Sequence, residues 1–128
     1  MKELSRTIGE MEFDGLISGI TPPVQVAGGI IAALTTETTY KRGTVLAKSA
    51  KTGKLYIIGT EATDGDTLTP DSILCDDTVV GTADVSTAVY TAGCINTNKV
   101  YCLEGYTIKE ADKDNLRMRG IILKATMN

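Results

Sequence analysis

Apolar side chains come in short bursts along this chain, and Gly, Pro, Asp or Thr ends each burst before a helical stripe can build up. Thr44–Lys48 and Leu55–Ile58 are apolar, β-branched runs joined by the polar turn Ser49–Lys54. Together they predict a hairpin with a longer loop. Gly59 to Pro70 is a polar, acidic loop. From Asp71 to Cys102 the pattern reads strand, acidic turn, strand, turn, strand. Ile73-Leu74-Cys75 is broken by Asp76-Asp77 and by Gly81–Asp84, Thr87–Ile95 resumes, Asn96–Asn98 turns, and Lys99–Leu103 resumes again. The periodicity then changes. Thr107 with Glu110 three residues later fits a capping box. Ile108, Ala111 and Leu116 can share an inward side while Lys109, Glu110, Lys113 and Asp114 stay wet. Gly120 stops this short helix, and Ile121–Ala125 forms a closing strand. The fold class that follows is mainly β with one short C-terminal helix.

Residues 1–39 behave differently. Glu10-Met11-Glu12-Phe13-Asp14 alternates charged and apolar side chains without a break, the period-2 signature of a strand with one wet face. Leu16 and Ile17 follow, then Thr21-Pro22-Pro23, where the prolines enforce an extended path and remove backbone donors. Val24–Val26 suits another short strand, and Gly28-Gly29 interrupts the apolar run Ile30–Leu34. No period here is long enough to bury the segment well, so it predicts an extended arm (1–39) attached to a β-rich domain (40–128). Such an arm suits strand addition to another protein's sheet. The competing expectation is that it folds back as the first strands of its own domain.

Composition narrows the class. With 128 residues the chain fits one domain with a real core. There is no Trp and one Phe, so Ile, Val, Leu, Ala and Tyr must build that core. A net charge of −3 argues against nucleic acid as the main partner. No apolar stretch is long enough for a membrane span, and the N-terminus has no signal-peptide pattern. Between Leu55 and Asn98 there is no Lys or Arg, while basic residues flank the segment on both sides. This pattern suits either an acidic face set against a basic one, as in head-to-tail subunit contacts, or a mixed solvated surface. Cys75, Cys94 and Cys102 lack metal or redox spacing and lie in strand-like runs, so they read as buried free thiols suited to a reducing cytoplasm.

Little chemistry can be placed. The chain has no His, which removes the usual general base and the Ser-His and Cys-His pairs. Ser49 beside Lys48 and Lys51 is formally a Ser-Lys arrangement, but neighbours on a polar turn read as a solvated loop. Asp64-Gly65-Asp66 and Asp76-Asp77 offer oxygen ligands without the rest of a calcium loop. Acidic turn residues bonding local backbone account for them. No cofactor is expected. The five tyrosines sit at strand positions, suited to core or subunit packing.

The order RGTVLAKSAKTGKLYIIG, an acidic loop, DSILCDD, DVSTAVYTAGCINTNKVYCL, a short charged helix and GIILKAT resembles the lambda-type head decoration (capsid-cementing) proteins of tailed bacteriophages. Thr44–Lys48, Lys54–Ile58, Ser72–Cys75, Val89–Gly93 and Cys94–Cys102 carry the likeness, over about residues 40–126. The resemblance implies a β-clip type of fold and a homotrimer at three-fold and quasi-three-fold positions of the capsid. It implies a virion protein, made in the host cytoplasm, whose N-terminal arm pairs with the major capsid protein. On that reading the capsid-binding residues are Glu10, Met11, Glu12, Phe13, Asp14, Leu16 and Ile17. Met11, Phe13, Leu16 and Ile17 would be buried on the partner, and the acids would face water or basic capsid groups. Two readings of other classes stand beside it. One is a glycan- or ligand-binding β module, which needs a concave aromatic patch. The other is a hydrolase with Ser-Lys chemistry, which needs that pair within hydrogen-bond reach.

Overall fold

The computed structural model describes residues 15–19 and 23–124. The strands are β1 (Ile17–Gly19), β2 (Gln25–Ile31), β3 (Thr38–Tyr40), β4 (Val45–Ser49), β5 (Leu55–Ile57), β6 (Leu68–Leu74), β7 (Thr78–Val80), β8 (Val85–Asn96) and β9 (Ile121–Lys124). One helix, α1 (Glu110–Arg119), precedes β9, and a 3₁₀ turn, Thr97–Lys99, follows β8. The described fold is thus mainly β with one short C-terminal helix, in agreement with the pattern of the sequence.

β8 is the spine. Its first part pairs with β2, placing Gly28 beside Ala88. β2 then meets β5 at one point, Ile31 beside Leu55. β5 pairs with β4, β4 with β6, and β6 returns to β8 through Ile73 beside Tyr90. The strands therefore close into a barrel-like ring of β8, β2, β5, β4 and β6. The last residues of β8 leave the ring and run between β1 and β9. Gly93 stands at that departure with φ +147°, and its N–H donates to Gly120 O at 3.0 Å.

Two apolar layers explain why several strands read as continuous runs instead of alternating ones. Ile31, Leu46, Leu55, Leu74 and Val89, one from each ring strand, form a single cluster with Tyr40 and Val80. Tyr40 and Val80 come from the separate β3–β7 ribbon. Adjacent residues in a strand face opposite ways, so Val45, Ile73 and Tyr90 point outward instead. There they join Leu16, Ile58, Cys75, Ile95, Leu116 and Ile121 in a second cluster. β4 and β6 are buried on both faces, and Ile73 and Leu74 are each fully covered.

The structure moves several boundaries. The described part of the expected arm is not extended away from the domain. β1 and β2 both lie along β8, and β3 pairs with β7. The competing expectation, folding back onto the domain, holds for residues 16–19 and 25–40. The physical reason is Leu16, which is buried to 1% exposure and removes far more apolar surface from water inside its own core than an arm would. Glu10–Asp14, Thr21 and Pro22 lie outside the described residues. Of the expected strand Lys99–Leu103, Lys99 closes the 3₁₀ turn and the residues after it are extended without forming a full strand. Its Tyr101 N–H donates to Gly43 O at 3.1 Å and Leu103 N–H to Ile58 O at 3.0 Å. The helix starts later than Thr107 predicts, with Lys109 as the N-cap. Asp112 fixes that start. Its carboxylate accepts the Lys109 N–H at 3.0 Å and the Tyr106 hydroxyl. Ala111 consequently faces solvent, and Leu116 is the buried anchor.

Candidate functional site

The N-terminal segment enters the domain at Gly15, whose φ of +70° is a conformation open mainly to glycine. Leu16 follows at once and locks the entry. Its carbonyl accepts the Asn96 N–H at 2.6 Å, and its side chain sits among Val45, Ile95 and Leu116. Ile17 lies beside Ile95 and is half-buried. Ser18 Oγ and Cys94 Sγ are 3.1 Å apart, and Gly19 passes directly over Cys94, leaving room for no more than contact. Leu16 is therefore the anchor of the N-terminal segment, buried in the core of its own domain, while Ile17 stays partly exposed beside it. Residues Glu10, Met11, Glu12, Phe13 and Asp14 are the part of the predicted contact that lies beyond this anchor.

β2 is the surface feature that the sequence did not single out. It belongs to the ring, yet all its residues except Gly29 and Ile31 are exposed. Val26, Gly28 and Ile30 share its outer side, with Val26 57% and Ile30 49% exposed. A side chain at Gly28 would meet nothing, whereas one at Gly29 would lie 2.7 Å from Leu55 Cδ1. Gly28 thus keeps the outer face low, and Gly29 admits Leu55 to the barrel. The signal was present in the chain, since Gly15 to Thr36 carries no charged residue at all. Exposed apolar strand surface without charge marks an interaction surface more often than a bare one.

The groups with chemical potential have local structural work. Ser49 is buried and donates from Oγ to Asp66 Oδ2 at 2.5 Å, while accepting the N–H groups of Lys51 and Thr52. Its hydroxyl therefore faces a carboxylate and organises the β4–β5 turn. The hydrogen bond from Ser49 holds Asp66 below the usual carboxylate range. Asp77 accepts the Arg42 N–H at 2.7 Å. No group of three or more metal-ligating side chains occurs among the described residues. Burial, followed by the charge of Asp76, pushes the Cys75 thiol up to about 11, and burial raises Cys102 as well. Both are poor nucleophiles. Burial and then the hydrogen bond to Asp112 push Tyr106 up to about 12.

Charge and aromatic placement can now be read. The acids of the segment 55–98 are partly matched by the flanking bases. Asp84 pairs with Lys54 at 2.7 Å and Asp71 with Arg119 at 3.0 Å. Asp84 also accepts the Ala33 N–H at 2.9 Å, so one carboxylate ties the ends of β2 and β5 where the ring closes. Tyr40 and Tyr90 are buried in different layers and only Tyr101 is strongly exposed, so no aromatic platform forms among the described residues. No helix among them is long and apolar enough to cross a membrane.

No curated protein sequence matches the chain significantly. Comparison with family models matches residues 7–121, a stretch that contains the alternating segment, its anchor, the whole ring and α1. The order of strands that carried the resemblance, the structural roles of the polar groups and this match over most of the length agree, and the chain belongs to the bacteriophage lambda head decoration protein D family.

Proposed function

We propose that the protein binds the outer surface of a phage capsid as a homotrimer, at three-fold and quasi-three-fold positions, and cements the head against internal pressure. The observation that carries this reading is the family match from residue 7 to residue 121. The family is one of structural, capsid-associated proteins, and its matched range includes the alternating Glu10–Asp14 segment. The partner in this reading is the major capsid protein. Glu10, Met11, Glu12, Phe13 and Asp14 supply the grip, with Met11 and Phe13 buried and the acids toward water or basic capsid groups. An extended segment added to a sheet edge gains backbone hydrogen bonds along its length. Three such segments on one trimer multiply a weak contact through effective concentration.

The geometry supports the division of labour. Leu16 and the Asn96 hydrogen bond clamp the chain immediately after the gripping segment, so tension on residues before Gly15 is delivered to the core of the domain. Co-sedimentation with expanded empty capsids tests the reading. The full chain pellets with the capsids up to a saturating ratio that is a multiple of three per capsid face. A chain that stays in the supernatant at every ratio overturns it.

A further inference from the structure

The extended stretch 100–103 leaves one strand edge without a partner among the described residues. Thr44 and Tyr101 form an isolated parallel bridge. Around it the Tyr101 N–H donates to Gly43 O at 3.1 Å, the Val45 N–H to Tyr101 O at 2.9 Å and the Leu103 N–H to Ile58 O at 3.0 Å. Tyr101 and Leu103 thus turn their backbone groups toward β4 and β5. Successive residues of an extended chain alternate in this respect, so Val100 and Cys102 face the other way. There the Val100 carbonyl and both backbone groups of Cys102 find no hydrogen-bond partner among the described residues. The side chains of Val100 and Cys102 lie against the second apolar cluster and are only half-buried. Tyr101 and Leu103 are exposed.

We infer that, away from the capsid, this edge accepts the Glu10–Asp14 segment of the same chain as an added antiparallel strand. Position selects this occupant. Gly15 stands at the Lys99 end of the edge, where a side chain on it would lie 3.5 Å from Lys99 Cε and 3.9 Å from Lys99 Cγ. From that corner the segment runs back from Asp14 to Glu10 while the edge runs on from Lys99 to Leu103, five residues each. Both cover the same ~17 Å at strand spacing, and the corner sets the pairing: Asp14 beside Lys99, Phe13 beside Val100, Met11 beside Cys102. Chemistry agrees with this register. Lys99 has no ion pair among the described residues, and Asp14 supplies one. Phe13 and Met11 complete the cover of the half-buried Val100 and Cys102, while Glu12 and Glu10 stay on the wet side with Tyr101 and Leu103. The covalent link through Gly15 holds the segment at this edge at an effective concentration that a separate copy does not match. The docking needs only this chain, and its consequence rests on the capsid reading. The grip residues are sheathed on their own domain, and the capsid competes for them.

The native Cys102 thiol makes the pairing testable, because facing positions of an antiparallel pair lie within disulfide reach. Full-length Met11→Cys, oxidised with glutathione disulfide in the absence of capsids, is expected to join position 11 to Cys102 within one chain, read by non-reducing electrophoresis and peptide mass spectrometry. In the unaltered chain the Cys102 amide is expected to exchange hydrogen at least ~10-fold more slowly than in the full-length double variant Met11→Pro and Phe13→Pro, which removes the added strand's donors. A disulfide between chains, a bond to Cys75 or Cys94 instead of Cys102, or equal exchange in the two proteins overturns the inference. Neither measurement involves capsids, so this inference and the capsid reading fail separately.

Discussion

β6 and β2 flank the same strand, β8, in the same ring, and the chain treats them in opposite ways. β6 is covered on both faces. Leu74 points into the barrel, and Ile73 points outward beneath Leu116 and Ile121. β2 has the barrel on one side and exposed Val26, Gly28 and Ile30 on the other. The helix, β1 and β9 finish one flank of the barrel, and nothing of comparable size among the described residues finishes the other. A small domain gains stability by covering apolar strand faces. A face left bare, without a single charge to solvate it, is better explained by a partner than by folding.

Substitutions break this contrast if it is wrong. Ile73→Ala removes an outward-facing side chain that is fully covered and is expected to cost about 2–5 kcal/mol, measured by urea unfolding. Its counterpart on β2, the pair Val26→Thr and Ile30→Thr, is expected to cost no more than ~0.5 kcal/mol per site. A loss on β2 as large as that at Ile73 would mean that the outer face of β2 is covered within the chain. The smallest effect concerns the seam where β2 meets β5. The hydrogen bond with Lys54, and then the Ala33 N–H, hold Asp84 below the usual carboxylate range. Its stabilising share is therefore complete above the unfolded value of ~3.9 and is lost as pH falls through the lower folded value. The exposed pair makes that share small. Acid titration is expected to loosen Ala32 and Leu55 before the β4–β6 pairing, and Asp84→Asn to remove that step. Equal response of both regions to acid would show that the carboxylate does not hold the seam.

Much of the fold was legible because local signals agreed with burial. The hairpin 44–58, the β8 run and the stop at Gly120 each combine an apolar burst with its own turn residue. Where the signals failed, the deciding partner was distant in sequence. Leu16 looks like an arm residue beside Pro22 and Pro23, and only a cluster drawn from distant parts of the chain, Val45, Ile95 and Leu116 among them, makes it core. Thr107 is a good cap by type, but the Asp112 carboxylate, held by Tyr106 and the Lys109 N–H, sets the helix start instead. Lys99–Leu103 has strand composition, yet its backbone bonds to other strands and loops are scattered over Gly43, Val45 and Ile58 and build no ladder. The candidate contact was legible in part. Alternation marks Glu10–Asp14 from sequence alone. The bare flank of β2 required the pairing of strands to be known, although the uncharged stretch from Gly15 to Thr36 was its trace.

The proposed grip precedes Gly15 in the sequence, and the described fold follows it. The most direct test compares the full chain with one lacking residues 1–14 for co-sedimentation with expanded capsids, with thermal unfolding measured in parallel. The account predicts that the shortened chain keeps its cooperative unfolding, since Leu16 remains, and loses capsid binding. Undiminished binding by the shortened chain would contradict it.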